Sequence, residues 1–410
     1  MASDADIARF VPTRAAGLAA LAAFVPRAGH DYSTSRNYDL GPGARSNVSG
    51  LSPYLRHRLV TESEVVAAVL AEHSAAAAAK FVQEVFWRTY WKGWLELRPG
   101  VLERYERALG ALLPGVGSDY ELACRGETGI DCFDAWVAEL KTTGYLHNHS
   151  RMDFASIWIF TLNLPWELGA DFFYRHLLDG DPASNTLSWR WVAGLQTLGK
   201  TYLTDAENIK RCTGGRFTPV GLAGVAPAVV EAALPAPERM PDFSLSPAPA
   251  WAAESAPVGL LLHEEDLNPE SLDFNGVRIS QIAGCSSVAG RSPLPVGSVV
   301  EAFVEGALAD GLGRASAHFE APATVLEALT ADAVLAWART GGLRRIVTPY
   351  APEGPVRKRL DALSPELAAA GISVLELGRN WDRKAWPNAT KGFFPFREKI
   401  PGLLVTQYLP

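Results

Sequence analysis

The chain has 410 residues, 48% of them apolar and 20% charged, which excludes a disordered or membrane-embedded class and makes two domains the starting expectation. Its 38 basic and 45 acidic residues leave a net charge of −7, which excludes a broad electrostatic footprint for nucleic acid but leaves room for a local patch. Four cysteines (Cys124, Cys132, Cys212, Cys285) form no CxxC pair, so they read as reduced thiols of a cytoplasmic protein, neither a disulfide framework nor a zinc site.

In chain order, Ala15–Val25 follows Arg9 and Arg14 as a signal-peptide core would. Acidic Asp4 and Asp6 precede it, however, and its length suits a buried helix opened at Pro12-Thr13. No window approaches a membrane span. Ser33–Pro53 is a polar turn region, and Thr61–Gln83 reads as one long helix. Apolar periodicity predicts further helices over Phe133–Tyr145, Asp153–Asn163 and Gly169–Leu178, each closed by glycine or proline. Residues 1–224 therefore read as an all-helical domain, and the alanine- and proline-rich residues 225–257 as a linker or surface-hugging tether.

Residues 258–410 change class. Strand-like runs at Val258–His263, Val277–Ile282, Arg345–Thr348 and Ile372–Leu377 alternate with helical patterns at Thr324–Thr340 and Leu360–Ala370. That alternation predicts a smaller, parallel-sheet, Rossmann-like α/β domain. No GxGxxG or Walker sequence follows any strand.

The densest chemistry lies between Thr128 and Phe217. Trp158, Trp166, Trp189 and Trp191 share it with an acidic turn, Asp179-Gly180-Asp181, and with His147-Asn148-His149-Ser150-Arg151. A core does not need that mixture, whereas a pocket for a large, flat, polar cofactor does. As a calcium loop the acidic turn fails, because Ala183, Ser184 and Arg190 stand at the fifth, sixth and twelfth positions; a helix-capping turn is the simpler alternative. His147 and His149 do not share a helix face, which discounts a metal. Ser49-Gly50-Leu51-Ser52 before Pro53 is either a plain turn and cap or a phosphate loop of hydroxyls and N–H groups.

Taken together, these residues resemble the flavin-binding domain of the DNA photolyase and cryptochrome family over roughly Tyr32–Phe217. The motifs arrive in the family's order: Tyr32 and Arg36; Val48-Ser49-Gly50-Leu51-Ser52; Glu84, Trp87 and Arg88 in FVQEVFWRTYW; Thr128–Ala135; His147–Met152; then Asp179-Gly180-Asp181, Asn185, Trp189 and Trp191. The resemblance implies a photolyase-type helical domain binding FAD through Tyr32, Ser49, Gly50, Leu51, Ser52, Arg88, Asn148, Arg151, Asp179, Asp181 and Asn185. It implies that Trp87 and Trp191 flank a flipped-out pyrimidine dimer, with Arg36, Glu84 and Met152 as further contacts. Catalysis would fall to Glu84 and Asn148, with Trp189 and Trp166 as proximal and middle members of an electron-transfer chain. Ala123 stands where the distal member is expected, so Tyr120 or Trp158 are other candidate rings. His149 replaces an arginine that helps hold damaged DNA, and Thr161 replaces the acid that usually pairs with Arg151. Arg36, Arg56, Arg58, Arg88 and Arg151 are candidate phosphate contacts, while Arg357-Lys358-Arg359 reads as a solvated helix face.

In the family an α/β antenna domain precedes the helical one; here the α/β pattern follows it. Val258–Leu267 resembles the family's opening strand and Lys391–Lys399 its closing segment, which suggests circular permutation. The expected function is FAD-dependent, light-driven repair of cyclobutane pyrimidine dimers in damaged DNA, with no membrane partner. The alternatives are a cryptochrome-like blue-light receptor with a signalling partner, or a flavoprotein that has lost both roles. An antenna chromophore in the α/β domain has no sequence signature.

Overall fold

The computed structural model describes residues 10–197, 199–253 and 256–407. Local capping decides where the helices start. Thr13 accepts from the Ala16 N–H and opens Arg14–Phe24, and Thr61 with Glu64 forms a reciprocal capping box ahead of Glu62–Glu72. The single helix expected over Thr61–Gln83 is two helices. Ser74 adopts extended backbone and its Oγ accepts from Ala77 N–H, which starts the 22-residue Ala75–Glu96 helix. After this long helix come Gly100–Leu112, Ser118–Arg125, Asp131–Thr143, Asn148–Ser156, Trp166–His176, Pro182–Val192 and Ala206–Cys212, and of these Pro182–Val192 packs directly on it. The expected helix over Asp153–Asn163 ends in a π-helical turn, Ile157–Thr161.

The tether follows the helical surface. Glu231 pairs with both Arg104 and Arg190, and Glu238 N–H donates to the Leu97 carbonyl. Thr161, the residue in place of the expected acid, accepts from Ala223 N–H at 3.1 Å through its Oγ1.

The second half is a five-stranded parallel sheet: β1 Val258–His263, β2 Ile279–Cys285, β3 Ala323–Val325, β4 Arg345–Pro349 and β5 Ser373–Leu377. Their order is β3-β2-β1-β4-β5, the doubly wound arrangement in which chain direction across the sheet reverses between β1 and β4. Both central strands are buried along their whole length, as parallel strands covered on two faces must be. The helix expected over Thr324–Thr340 divides into β3 and Ala331–Thr340, because Thr330 caps the latter. A 22-residue helix, Ser298–Phe319, has no counterpart among the expected elements. It lies between sheet and helical half, and a Cβ on its Gly306 would sit 2.5 Å from Pro12.

One hydrophobic core runs through both halves, with Leu260 and Val347 in the same cluster as Phe86 and Trp158. Trp381 stacks on Phe86 with ring centroids 4.7 Å apart and donates to Thr89 Oγ1 at 2.8 Å. Beyond β1, the carboxyl end of the sheet meets charge. Arg56 makes a bidentate pair with Glu265 at 2.6 and 2.7 Å, His57 Nδ1 contacts the Glu264 carbonyl at 2.7 Å, and Arg58 pairs with Asp266 and Asp382. The switch-point crevice, where open α/β sheets usually bind ligands, is thus filled by the helical half.

Glu96, at the end of the long helix, accepts from the Tyr350 hydroxyl and Glu353 N–H, both at 2.6 Å. Burial pushes this carboxyl up to about 8. A folded-state value above the unfolded one makes stability fall as pH rises from the ordinary range through 8, by up to about 1.4 kcal/mol per pH unit. Glu96→Gln should therefore leave the melting temperature at pH 5 nearly unchanged and raise it at pH 9. Parallel melting curves for both proteins at pH 9 would contradict this.

Candidate functional site

A cavity of about 640 Å³ opens in the helical half, within the range of ligand pockets. Five segments distant in sequence wall it: Tyr32–Asn37, Val48–Ser52, the Glu84–Trp91 face of the long helix, Tyr145–Met152, and Asp179 to Val192. Every residue expected to touch cofactor or lesion lines this one cavity, and of the expected electron-transfer residues Trp189 does too. Trp166 does not: it is buried behind the wall, its ring 5.6 Å from Tyr105 and 5.7 Å from the Arg190 guanidinium.

The serine loop approaches the cavity through Gly50, whose φ of +63° lies in the left-handed region that glycine adopts without strain. Ser49 Oγ accepts from Leu51 N–H at 3.3 Å. The short helix Ser52–Arg56 has no side-chain cap, so the plain capping role considered for this loop is not what it does.

Across from it, the acidic turn serves two ends at once. Asp181 caps Pro182–Val192 through Ser184 N–H at 2.9 Å and pairs with Arg88 at 3.0 Å. Burial opposes its charge, but Arg88, Lys92 and Arg56 together hold the carboxyl far below the usual range. Asp179 takes both guanidinium nitrogens of Arg151, at 3.0 and 2.9 Å, while Arg151 Nε donates to the Leu146 carbonyl. Asp179 therefore supplies the counter-charge that Thr161 lacks. From the α/β half, Arg291 donates to the Tyr174 and Leu177 carbonyls beside this turn. A Cβ on Gly180 would lie 2.8 Å from that guanidinium.

Several groups present unused polar atoms to a ligand. Ser184 Oγ, on the cavity wall, is buried without a hydrogen-bond partner, a vacancy that buried hydroxyls rarely show. Asn185 Nδ2 is anchored to the Ala170 carbonyl at 2.8 Å, which fixes the direction of its amide. The N-terminal turns of Asn148–Ser156 and Pro182–Val192 both border the cavity, adding partial positive charge for an anionic group. A long ligand with an anionic middle and a flat polar end suits this donor set.

At the aromatic side, Trp87 and Trp191 both line the cavity. Trp87 lies flat on Phe393, with centroids 3.5 Å apart and planes at 12°, and Trp191 stacks on Tyr202 at 5.8 Å. Arg36 and Glu84 are ion-paired with each other. Burial, opposed by Arg36, raises the Glu84 carboxyl above its ordinary range, so a ligand here meets a paired glutamate. His149 contacts Asn208 at 3.2 Å and faces Asp153 at 3.8 Å. Arg56 and Arg58 are buried in the interface with the sheet. Their guanidinium groups are taken by Glu265 and Asp382 there, so neither presents a free cation at the surface as the sequence expectation required.

Sequence reasoning missed Lys92, Tyr145 and Phe393. Lys92 is buried 3.8 Å from Asp181 and 3.9 Å from Glu265; its place one helical turn after Arg88, facing the same acids, was a usable signal. Phe393 comes from the other half of the chain and carried none. Among the described residues no group of three metal-ligating side chains occurs, and no helix is long and apolar enough to cross a membrane.

Residues 81–212 match the family model for the FAD binding domain of DNA photolyase. A deoxyribodipyrimidine photo-lyase of Vibrio cholerae is 29% identical over 198 residues, which is 47% of this chain and 41% of that protein. One from Thermus thermophilus is 34% identical over 187 residues, 45% of this chain and 43% of that protein. The chain thus spans about two fifths of the length of the curated relatives it matches. A bacterial class III photolyase structure from Agrobacterium tumefaciens shares 26% identity with a TM-score of 0.43, covering 49% of this chain and 43% of that one. The helical half is a photolyase-type FAD-binding domain, and FAD is its cofactor.

Proposed function

We propose that this protein uses light absorbed by its FAD to split cyclobutane pyrimidine dimers in DNA. The observation that supports the reading is that the residues expected to hold the cofactor and those expected to flank the lesion, Glu84, Trp87, Met152 and Trp191, all line a single cavity. When bound, FAD supplies an electron to the dimer and takes it back. The chain's own residues do the rest. The Arg151–Asp179 pair and Asp181 fix charge at the cofactor end, while Trp87 and Trp191 replace the stacking a flipped-out base loses. Glu84, whose carboxyl burial raises above its ordinary range, is offered to the lesion once Arg36 turns to a phosphate. Illumination of flavin-loaded protein with a dimer-containing oligonucleotide should remove the dimer; persistence of the dimer with fully reduced FAD would end this reading.

A second reading, a blue-light receptor without repair, is favoured by the Arg36–Glu84 pair, which occupies two lesion contacts at once. The order of halves fits a circular permutation of the family's architecture: the sheet follows the helical half, and both β1's acidic loop and residues 391–399 dock on it.

For reloading electrons from outside, the indole beside Trp189 is Trp158, with ring centroids 6.2 Å apart, and the Tyr120 ring lies 6.1 Å from Trp158. Trp166 instead carries the Arg190 cation over its face, which disfavours its oxidation. Trp158 sits among phenylalanine rings and donates to the Pro165 carbonyl at 3.0 Å. Photoreduction of FAD, followed by absorbance, should slow several-fold more in Trp158→Phe than in Trp166→Phe; the opposite ranking would return Trp166 to the middle position.

A further inference from the structure

The segment from Thr390 to Lys399 belongs to the α/β half and packs against Trp87, a residue of the cavity wall, through Phe393. Tyr90 donates to the Lys391 carbonyl at 2.8 Å and Arg98 to the Thr390 carbonyl at 2.9 Å. Phe396 packs against Tyr90 and Phe86, at 5.4 and 6.2 Å. With Phe393 laid on Trp87 and Phe396 buried, the turn between them sends Phe394 outward. It is 68% exposed, the most exposed aromatic side chain among the described residues. The Arg397 guanidinium stands 5.2 Å from its ring centre. Lys391, Arg397 and Lys399 make no ion pair among the described residues, and Glu398 is the only acid in the segment, on a chain whose net charge is −7.

An exposed ring amid unpaired cations is the combination that holds a single nucleic-acid strand: the ring takes a base face and the cations take phosphates. Its segment is joined through Phe393 to Trp87, the tryptophan assigned to the lesion, and extrusion of two bases leaves the neighbouring base without a stacking partner. We propose that Phe394, Arg397, Lys391 and Lys399 bind the DNA strand flanking the extruded dimer, with Phe394 stacking on the first unpartnered base. This rests on the repair reading. A purely structural role for Phe394 is excluded by its exposure, since Phe393 and Phe396 already provide the packing.

Flavin-loaded protein would be titrated by fluorescence anisotropy with single-stranded oligonucleotides carrying one thymine dimer, either with long flanks or trimmed to the dimer. Phe394→Ala should weaken the flanked oligonucleotide about tenfold and leave the trimmed one and the flavin absorbance unchanged. Reversing Lys391, Arg397 and Lys399 to glutamate should flatten the dependence of log affinity on log salt by about 2. If the wild type prefers dimer DNA and both variants bind like it, the flanking-strand site is overturned and the lesion pocket stands. If the wild type ignores the dimer but the variants lose strand binding, the site stands and the repair reading falls. Wild-type protein that binds no oligonucleotide overturns both.

Discussion

Arg56→Met is expected to cost about 3–5 kcal/mol of stability, the usual penalty for stripping one partner from a buried ion pair. The side chain is 2% exposed and donates twice to Glu265 and once, at 2.6 Å, to the Gly180 carbonyl. Burial works against the Glu265 charge, yet Arg56 and Lys92 hold the carboxyl at about 2. Once Arg56 is gone, burial pushes that carboxyl back up, and it is left either charged without its main partner or protonated, each at a cost to the fold. Only Lys92, 3.9 Å away, remains to face it. The Gly180 carbonyl, between Asp179 and Asp181, also loses its donor, so flavin should dissociate more readily as the melting temperature falls. The double variant Arg56→Met/Glu265→Gln, which removes the orphaned charge, should recover much of the stability. Chemical denaturation of the three proteins decides it: a single variant as stable as wild type would show that the two halves are held by the apolar core alone.

Trp87→Ala should abolish most discrimination between dimer and undamaged DNA while sparing FAD. The ring lines the cavity and rests on Phe393 at 3.5 Å, whereas the serine loop and the acidic turn, the proposed cofactor contacts, lie elsewhere on the wall. Base stacking on an aromatic ring is worth about 1–3 kcal/mol, so dimer affinity should drop roughly 10- to 100-fold. Anisotropy measured beside the flavin spectrum separates the outcomes. Unchanged dimer affinity would leave Trp87 a packing residue and favour the photoreceptor reading, whereas loss of flavin would place the ring in the cofactor site.

The cavity was legible in the sequence because its residues are chemically unusual where they stand. A core does not need serines beside a glycine at Ser49–Ser52, or two aspartates around a glycine at Asp179–Asp181, so their purpose shows without coordinates. Strands β1, β4 and β5 were legible as short apolar runs between turn residues. The Ser298–Phe319 helix was not: its buried face, from Val300 and Phe303 to Leu312 and Ala315, has the helical period, but Ala302, Ala309, Gly313 and Ala317 on its exposed side blur the contrast between the two faces.

By itself, the sequence determined the helical and α/β classes, because periodicity is a local property of the chain, and the resemblance carried by its motifs pointed to FAD and to the residues that line one cavity. Only the tertiary structure decided how those residues are paired. Asp179 answers Arg151 where Thr161 could not, Glu84 is held by Arg36, and Trp158 rather than Trp166 stands beside Trp189. It also decided that Arg56 and Arg58 are buried against acids of the sheet half, and that Phe393 backs Trp87 from the opposite half. Each of these depends on which of several like-charged or aromatic candidates comes within a few ångströms. That distance is set by packing between segments far apart in the chain, a quantity no local pattern of residues contains.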